Sequence, residues 1–430
     1  MRFVSFTLRG LAILAVGLGA VLRYAVTLLF SPVLPREAEA DWKWRLRGRI
    51  LQSALARLGA TFIKLGQVMS TRPDLFEPDF IDELKRLQDR LPPFSGGAAC
   101  AQIEATLGHP IVDAFSEFEM EPVAAASVAQ VHRGVLLDGR EVAVKVLRPD
   151  VREKTERDAI ILMALARLAM RLHAHAEHAN LAGHLTHFID GVLAQTDLRI
   201  EAEHYVRFRE NFADVEGIRF PEVVDALSGE RVMTMDFIRG RKVDALSEGE
   251  HPVIASRLRR AFLQMLFRDG FLHADLHPGN LLIEDDGGIV IFDVGLSKAL
   301  DEELLEEYID FNRCLVMGST MDFVRHIRRY HSYAEGSVAW DSLEDDIEVF
   351  IAGFRGKPAS ELEFGNLIER VFAVGRKHGV RPVPDMTLTM VGLVTAEGMG
   401  KQLDPSSDSF GEVAAYLMPI LLERGMMAPS

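Results

Sequence analysis

The ten residues Phe271–Asn280, FLHADLHPGN, constrain this chain more than any other stretch. Asp275 is followed by Asn280 after five residues, and Asp293 comes later in an Asp-x-Gly setting. The intervening LLIEDDGGIVIFD indicates two short β-rich runs joined by an Asp-Gly-Gly turn, a hairpin that would bring Asp293 back beside Asn280. Carboxylate and amide oxygens at the end of a hairpin suit Mg²⁺, which leaves coordination positions for phosphate. The spacing and the hairpin together predict a metal-dependent phosphate site, not an ordinary acidic loop.

The overall composition excludes several classes of protein. A chain of 430 residues, of which 48% are hydrophobic, can form two or three domains with buried cores. Its formal net charge of −15 argues against broad contact with a phosphate backbone, so we expect no nucleic-acid partner. The two cysteines, Cys100 and Cys314, lie far apart in no Cys-x-x-Cys pattern. They indicate neither a disulfide framework nor a thiolate metal site, and they fit a reducing compartment.

Five histidines fall between His173 and His187 in an alanine-rich stretch. Their spacing lacks the His-x-x-x-His pair with a nearby carboxylate that would suggest zinc on one helix face. We therefore predict a solvated helix and turn there, not a metal site.

The amino-terminal segment Leu11–Phe30 is apolar except for Arg23 and comes close to the length that spans a bilayer. An arginine near the middle of a spanning helix costs about 3 kcal/mol on insertion scales, although its side chain can snorkel. A spanning helix and an in-plane membrane helix therefore both remain open. A cleaved signal or transit peptide is a third alternative, because Arg2 and Arg9 precede the run. We expect retention, since a phosphate-using domain should stay where its nucleotide is.

A basic cluster follows this apolar segment. Its members are Arg36, Lys43, Arg45, Arg47 and Arg49. Such a cluster favours the cytoplasmic face of a membrane or anionic headgroups, and a solvated helix face explains it equally well.

Residues 42–90 are predicted to be helical, because apolar residues recur at three- and four-residue spacings from Ile50 to Phe62. Lys64 and Gln67 follow, three residues apart, so a charge and an amide share one helix face and could point into a neighbouring pocket. The Pro-Pro and Gly-Gly pairs after Leu91 break the helix and predict a linker.

Two β-rich runs lie around the Asp138-Gly139 turn, and the second contains VAVK, which ends at Lys145. VAVK matches the V-A-I-K of kinase strand three, where the lysine contacts the α- and β-phosphates. The small-residue loop Ala124–Gln130 stands where a protein kinase has G-x-G-x-x-G. Alanine lets backbone amides approach phosphate but restricts the backbone more than glycine does, so we expect the nucleotide to sit differently. The loop residues expected to contact it are Ala124, Ala125, Ala126, Ser127, Val128 and Gln130.

The segment Gln195–Glu203 offers several carboxylates on a predicted helix, and one of them should pair with Lys145. Residues 221–240 then predict two strands and a hinge at Met235, Asp236 and Phe237, whose backbone would meet the adenine edge. Beyond Gly240 the chain is predicted to be largely helical.

The Asp-x-Gly element leads within about five residues to an acidic helix start at Asp301. Protein kinases carry a long activation segment closed by Ala-Pro-Glu at this point. This sequence lacks that segment, and with it the surface that docks a peptide substrate.

Together these elements resemble the UbiB/AarF family of atypical kinases, which supports ubiquinone (coenzyme Q) biosynthesis. The resemblance runs from about residue 42 to residue 410. It covers the family's Lys-x-Gly-Gln, alanine-rich loop, VAVK, RIEA, HADLHPGN and Asp-x-Gly elements, here at Lys64–Gln67, Ala124–Gln130, Lys145, Glu201, His273–Asn280 and Asp293. The first two elements are peculiar to that family, so the resemblance is specific.

The resemblance implies an α+β, bilobal protein-kinase-like fold with an added N-terminal helical extension and a helical C-lobe. The extension carries the Lys-x-Gly-Gln motif and would fold over the active site. The predicted divisions are a membrane-associated apolar segment at 1–40, the helical extension at 41–118, a kinase-like N-lobe at 119–239 and a kinase-like C-lobe at 240–430.

The resemblance also implies roles for individual residues. Lys145 would clamp the α- and β-phosphates of ATP, and Glu201 would orient it. Asp275 would take the place of the catalytic base. The implied metal ligands are Asn280 and Asp293, and Lys64 with Gln67 would project into the nucleotide pocket.

The chain departs from the family pattern at two motif positions. Gln195 replaces the glutamate that would pair with the Lys-x-Gly-Gln lysine, so Lys64 is expected to be held less firmly. Val294 replaces the phenylalanine of Asp-Phe-Gly, which leaves open how the metal loop packs. The apolar amino-terminal segment precedes the resemblance and takes no role from it.

The function that the resemblance implies is ATP hydrolysis with Mg²⁺ rather than protein phosphorylation, in association with a membrane. Because the basic cluster favours the cytoplasmic face, we expect the catalytic domain on that side. The expected partners are membrane lipids, quinone precursors and quinone-biosynthesis enzymes. Two alternatives stay open: a phosphotransferase that acts on a small molecule, a lipid or a protein, and a nucleotide-gated scaffold for quinone-biosynthesis enzymes.

Overall fold

The computed structural model describes residues 2–29, 36–73, 75–87, 92–172, 181–246, 251–358 and 361–426. The chain forms two compact units, residues 1–203 with 222–238 and residues 204–221 with 239–430. Residues 173–180 of the histidine-rich stretch, and Leu91 at the start of the predicted linker, lie outside the described residues.

The helices begin and end as follows. Those that begin in the first unit are α1 (Arg2–Leu29), α2 (Arg36–Leu58), α3 (Ala60–Ser70), α4 (Pro78–Leu84), α5 (Gly96–Leu107), α6 (Val151–Leu172), α7 (Leu181–Ala194) and α8 (Leu198–Asn211). Those of the second unit are α9 (Pro252–Phe267), α10 (Glu302–Met317), α11 (Thr320–Tyr330), α12 (Trp340–Ala352), α13 (Phe364–His378), α14 (Pro384–Leu403) and α15 (Ser409–Glu423).

The strands are short and fall in both units. In chain order they are β1 (Phe115–Phe118), β2 (Ala124–Ala125), β3 (Ala129–Leu136), β4 (Glu141–Leu147), β5 (Ile218–Arg219), β6 (Val232–Asp236), β7 (Arg241–Lys242), β8 (Phe271–His273), β9 (Leu281–Ile283), β10 (Ile289–Ile291) and β11 (Ser297–Ala299).

The stretch predicted to be helical, residues 42–90, is divided into α2, α3 and α4. The first break lies at Gly59, whose φ of +94° is unfavourable for residues with a Cβ. The apolar stripe packs into one cluster of the first unit, with Leu55, Leu58, Phe62, Phe80 and Leu84 at its centre. Helices α2, α3 and α4 therefore share one core with α1 and α6. The rest of the predicted extension packs elsewhere, since Ala99 and Ile103 of α5 and Phe115 of β1 belong to the core under the sheet.

Helix α1 has two unlike faces. One face packs on the core of the first unit through Phe6, Ile13 and Val16. The other is exposed and apolar, with Leu8, Leu11, Leu14, Leu18, Val21, Leu22 and Val26. By length and composition alone, Phe6–Leu28 can cross a membrane, with a mean hydropathy of 2.0.

The sheet of the first unit is antiparallel, in the order β1-β3-β4-β6, with β2 added to β3. The predicted turn between β3 and β4 is present, and Gly139 there adopts a φ of +88°. In the sheet register Lys145 lies between Val131 and Met233. The central position of β4 fixes the direction of the Lys145 side chain.

The prediction of two strands within residues 221–240 is wrong for the first of them. Only β6 forms a ladder there, and the preceding stretch contributes a single bridge, from Val223 to Met235, and a short 3₁₀ turn. Side-chain hydroxyls bond to backbone groups that would otherwise pair in a ladder. Thr234 Oγ1 donates to Leu227 O at 2.7 Å, and Ser228 Oγ accepts from Thr234 N at 3.0 Å.

The second unit contains a sheet in the order β5-β10-β9-β7 and the separate pair β8-β11. The predicted β9–β10 hairpin is present, with Leu281 paired with Ile291. In its turn, Gly287 adopts a φ of +82°. The helical prediction for the rest of this unit is confirmed, and the methionines of α14 fill its core, since Met386 and Met390 are fully buried.

Candidate functional site

The HADLHPGN loop of the second unit is organised around a buried histidine. His273 is fully buried at the end of β8. Its Nδ1 accepts the N–H of Asp275 at 3.2 Å, and its Nε2 lies 3.0 Å from the carbonyl oxygen of Phe292. This arrangement requires the proton on Nε2, and burial lowers the pKa of His273, which keeps the ring neutral. The histidine thus anchors the backbone at Asp275.

Asn280 joins the loop to the hairpin. Its side-chain Nδ2 donates to Asp275 O at 2.9 Å, and its backbone carbonyl oxygen accepts from Phe292 N at 2.8 Å. An asparagine that donates through Nδ2 directs its Oδ1 elsewhere as an acceptor. The hairpin therefore brings the backbone next to Asp293 against Asn280, as the sequence predicts.

Asp293 has a φ of +52°, which is rare for a residue with a side chain. Its N–H donates to the hydroxyl of the fully buried Tyr205 at 3.0 Å. The next residue, Val294, is buried, and its carbonyl accepts from Ser297 Oγ at 2.7 Å and lies 2.9 Å from Nδ1 of His204. The Asp-Val-Gly loop therefore packs without a phenylalanine, because hydrogen bonds hold its backbone.

Sequence reasoning missed His204 and Tyr205. They directly follow the RIEAE stretch on α8, and Tyr205 comes four residues after Glu201. A tyrosine one helical turn from a predicted site residue was a usable signal, because residues four apart share a helix face.

In the first unit, Lys145 on β4 forms an ion pair with Glu201 on α8. The Nζ atom lies 2.7 and 2.8 Å from the two carboxylate oxygens, and the side chains are only 12% and 6% exposed. Of the carboxylates that the sequence left open, Asp197 is bound instead by Arg199, whose hydrogen bond lowers the pKa of Asp197. The predicted pairing is confirmed; the roles of both residues in catalysis stay predictions.

The alanine-rich loop is a tight hairpin. Ala124 and Ala125 pair with β3, and Ala126 N donates to Ala129 O at 2.8 Å. Ser127 is fully buried, and so is nearly all of Gln130. The amide of Gln130 is hydrogen-bonded to both backbone groups of Phe94 and lies 2.7 Å from Nε2 of His132. Gln130 thus has a structural role in the first unit, and the nucleotide contacts of Ala124–Gln130, with Val128 among them, stay predictions.

The proposed hinge is already part of the sheet. The N–H of Asp236 donates to Glu222 O at 3.0 Å, and that of Phe237 donates to Glu141 O at 3.2 Å. Met235 pairs with Ala143 in the ladder. If this segment binds an adenine, neither of these two N–H groups is the donor, because each already donates to a backbone carbonyl.

Lys64 and Gln67 both lie half-buried on α3. Gly66 between them is buried, and a Cβ there would lie 2.2 Å from Leu87 Cδ1 and 2.8 Å from Leu55 Cδ1. Glycine at this position lets α3 pack closely against Leu55 and Leu87. That Lys64 and Gln67 project into a nucleotide pocket stays a prediction.

The predicted residues fall into two sets, one in each unit. One set lies in the first unit, and it comprises Lys64, Gln67, Ala124–Gln130, Lys145, Glu201 and Met235–Phe237. The other lies in the second unit, and it comprises Asp275, Asn280 and Asp293. That both sets act on one triphosphate stays a prediction.

The second set fits Mg²⁺ by its chemistry. Asn280 and Asp293 offer one amide oxygen and one carboxylate, the oxygen ligands that Mg²⁺ prefers alongside phosphate and water. The backbone bonds at Asp275, Phe292 and Asp293 hold these residues in place independently of a bound ion.

Two family models match this chain. Residues 86–324 match the ABC1 atypical kinase-like domain, and residues 347–408 match the UbiB helical domain. The chain belongs to the ABC1/UbiB family of atypical kinases. A kinase-like domain of this family implies the use of ATP, commonly with Mg²⁺.

Relatives and a solved structure agree with this membership. The chain is 33% identical over 389 residues to a probable protein kinase UbiB of Aliivibrio fischeri, which covers 86% of this chain and 70% of the relative. It is 32% identical over 427 residues to one of Pseudomonas putida, which covers 94% and 79%. The structure resembles Rv3197 of Mycobacterium tuberculosis, solved in complex with erythromycin, with a TM-score of 0.54 and 19% identity over 85% of this chain and 97% of that one. The predicted kinase-like fold is confirmed.

Proposed function

We propose that this ABC1/UbiB-family protein is a membrane-associated ATPase that uses Mg²⁺ and supports ubiquinone biosynthesis. The observation that carries the proposal is the buried pair of Lys145 and Glu201 in the first unit. A strand lysine held by a helix glutamate is the arrangement that positions the α- and β-phosphates in kinases. A bound Mg²⁺ on Asn280 and Asp293 would stabilise the charge that develops at the γ-phosphate.

The segment after Asp-x-Gly favours hydrolysis over peptide phosphorylation. Strand β11 pairs with β8, so that Ser297 lies opposite His273. Leu300 N then donates to Gly270 O at 2.8 Å, and α10 starts at Glu302 with Asp301 as its N-cap. The residues between Gly295 and α10 are thus hydrogen-bonded to neighbouring strands. This interval is too short to form the kind of segment that docks a peptide substrate.

The proposal is tested by Asp293→Asn in the full chain, assayed for Mg²⁺-dependent release of phosphate from ATP in liposomes. We expect turnover to be lost, because an amide is a poorer Mg²⁺ ligand than a carboxylate. Asp285→Asn is the matched control: this exposed carboxylate lies in the turn of the same hairpin, and its removal should leave turnover unchanged. Equal turnover in Asp293→Asn and the parent protein would sink the proposal. Nucleotide binding without turnover in the parent protein would favour the scaffold.

Phosphotransfer to a small molecule, lipid or protein is the second candidate, and the loop at Asp275 favours it. Both backbone groups of Asp275 are fixed, the N–H by His273 and the carbonyl by Asn280, as a positioned base requires. With ATP labelled at the γ-phosphate, transfer predicts label in a lipid or protein fraction sooner than in free phosphate. Label that appears only as free phosphate would exclude it.

For the membrane, we propose that α1 lies in the plane of the bilayer with its exposed face in the lipid. Arg9, on the docked face, forms a bidentate ion pair with Asp158 on α6 and donates to Leu58 O, each bond at 2.7 Å. At the other end of α1, Arg47 donates to Tyr24 Oη at 3.0 Å. These contacts pair the start of α1 with the end of α2, and the end of α1 with the middle of α2.

A spanning orientation would break these contacts or carry the charges of α2 into the hydrocarbon. Between Trp42 and Ile50, α2 carries Lys43, Arg45, Arg47 and Arg49. Charged side chains in a bilayer core cost about 3 kcal/mol each on insertion scales. At the surface, the same residues attract anionic headgroups, while the apolar face of α1 enters the acyl boundary.

Flotation with anionic liposomes tests this placement. Leu11→Gln with Leu18→Gln should release the protein, whereas Val112→Gln with Leu137→Gln, equally exposed apolar residues of the first unit, should not. Single cysteines at Thr7 and Thr27, with both native cysteines replaced by serine, should both react with an impermeant thiol reagent added outside the vesicles. Reaction at one end only would show that α1 spans the bilayer.

A further inference from the structure

A second cluster of chemistry-bearing side chains lies in the second unit, on helices that carry none of the predicted nucleotide or magnesium residues. Glu307 lies on α10, His326 on α11, and His331 directly after the end of α11. One ligand atom from each, a carboxylate oxygen and two imidazole nitrogens, lies within 4.8 Å of the other two. The sequence pattern did not reveal this cluster, because its members are spread over 25 positions without a short motif.

The ligand atoms are buried and have no partner among the described residues. Glu307 is 3% exposed and His326 is 2% exposed. Glu307 Oε1, His326 Nε2 and His331 Nδ1 are all shielded from solvent, and no hydrogen bond within the described part of the chain reaches them. Buried polar atoms nearly always have a partner, so an unpartnered atom on each of three residues whose ligand atoms lie within 4.8 Å of one another requires an explanation.

His326 is oriented by a second carboxylate. Its Nδ1 lies 2.9 Å from Asp310 Oδ2, and Arg313 binds Asp310 Oδ1 at 2.9 and 2.8 Å. Asp310 accepts a hydrogen bond from Nδ1–H, which leaves the lone pair of His326 on Nε2. A carboxylate behind a histidine in this way is the usual support of a metal-binding imidazole.

We propose that Glu307, His326 and His331 bind one divalent transition-metal ion, with Zn²⁺ as the preferred ion. Two imidazole nitrogens and one carboxylate oxygen are ligands that Zn²⁺ accepts, whereas Mg²⁺ and Ca²⁺ favour oxygen alone. With bonds of about 2.1 Å, a tetrahedral ion would draw the three atoms to about 3.4 Å from one another, a small movement from their present separation. A fourth position would remain for a water molecule or another side chain.

Such an ion would tie together two consecutive helices. Its ligands come from the middle of α10 and from the end of α11, and the connection between these helices is only Gly318 and Ser319. Because the ligand atoms are buried, the site is structural rather than catalytic. Metal binding should therefore stabilise the second unit.

The experiment uses the full chain without a histidine tag, stripped with a chelator and then dialysed against Zn²⁺. We expect elemental analysis to find about one Zn²⁺ per chain, and Co²⁺ in its place to give the visible absorption of a tetrahedral site. Glu307→Gln, His326→Gln and His331→Gln should each reduce the bound metal to background, and Asp310→Asn should weaken Zn²⁺ affinity about 10–100-fold.

His378→Gln is the matched control, since His378 is a largely buried histidine of the same unit bound to Asp346 at 2.6 Å, and it should keep the metal. Asp293→Asn should also keep it, which separates this site from the proposed magnesium site. Circular dichroism verifies that each variant is folded. Zn²⁺ at background in the parent protein, or equal Zn²⁺ in the folded Glu307 and His326 variants, would overturn the proposal.

Discussion

Removing one partner of the ion pair between Lys145 and Glu201 should destabilise the first unit as much as removing both. The side chains are only 12% and 6% exposed, and Nζ lies 2.7 and 2.8 Å from the carboxylate oxygens. With an effective dielectric constant of about 20, unit charges at that distance attract by roughly 6 kcal/mol. Most of this attraction is offset by the cost of taking both ions out of water. A single substitution therefore acts mainly by leaving one charge buried and unpaired, at a cost of about 3–5 kcal/mol.

A double-mutant cycle measures this directly. We expect Lys145→Met and Glu201→Gln each to lower the free energy of unfolding by about 3 kcal/mol, and the double variant to lose no more than either one. The assay is urea denaturation followed by tryptophan fluorescence in a Trp340→Phe background, since the remaining tryptophans lie in the first unit. Additive losses, with a coupling energy below about 0.5 kcal/mol, would refute the reasoning.

Three further substitutions test other parts of the structure. Gly66→Ala should lower the free energy of unfolding by about 1–3 kcal/mol, as overpacking against two buried leucines does, and an unchanged urea midpoint would contradict the close packing of α3. Tyr205→Phe should cost about 1 kcal/mol and raise the Mg²⁺ concentration needed for half-maximal turnover, because the N–H of Asp293 loses its acceptor; an unchanged Mg²⁺ dependence would count against this. Burial raises the pKa of the Asp269 carboxyl from 3.8 to about 6. The contribution of this group to the free energy of unfolding is therefore fully present below pH 3.8 and is lost as the pH rises through 6. After discounting for its partial exposure, Asp269→Asn should therefore stabilise the protein by about 1 kcal/mol at pH 7 and not at pH 3.5, and a pH-independent difference would be inconsistent with this.

The sequence predicted the elements whose cause is local. The turns at Gly139 and Gly287 follow from glycine in a left-handed conformation between β-rich runs. The start of α10 follows from Asp301, which caps it by accepting the N–H of Leu304 at 2.8 Å. The absence of an activation segment was likewise visible from the interval after Gly295.

Where local signals competed, prediction failed or stayed open. The strand expected before Ser228 was replaced by a turn, because serine and threonine hydroxyls satisfy backbone groups that a ladder would otherwise pair. The amide of Gln130, predicted to contact nucleotide, is bonded inside the first unit, and no pattern around it indicated that.

By itself, the sequence determined which short segments form strands, turns and helix starts, because these depend on the backbone preferences of a few neighbouring residues. Only the tertiary structure decided that Arg9 meets Asp158, 149 positions away. Residue spacing left open which carboxylate meets Lys145, and the structure confirms Glu201, 56 positions away, as the resemblance implied. The tertiary structure alone likewise brought together Glu307, His326 and His331. Each of these contacts depends on how whole helices pack, and packing sums many weak side-chain contacts that no local spacing encodes.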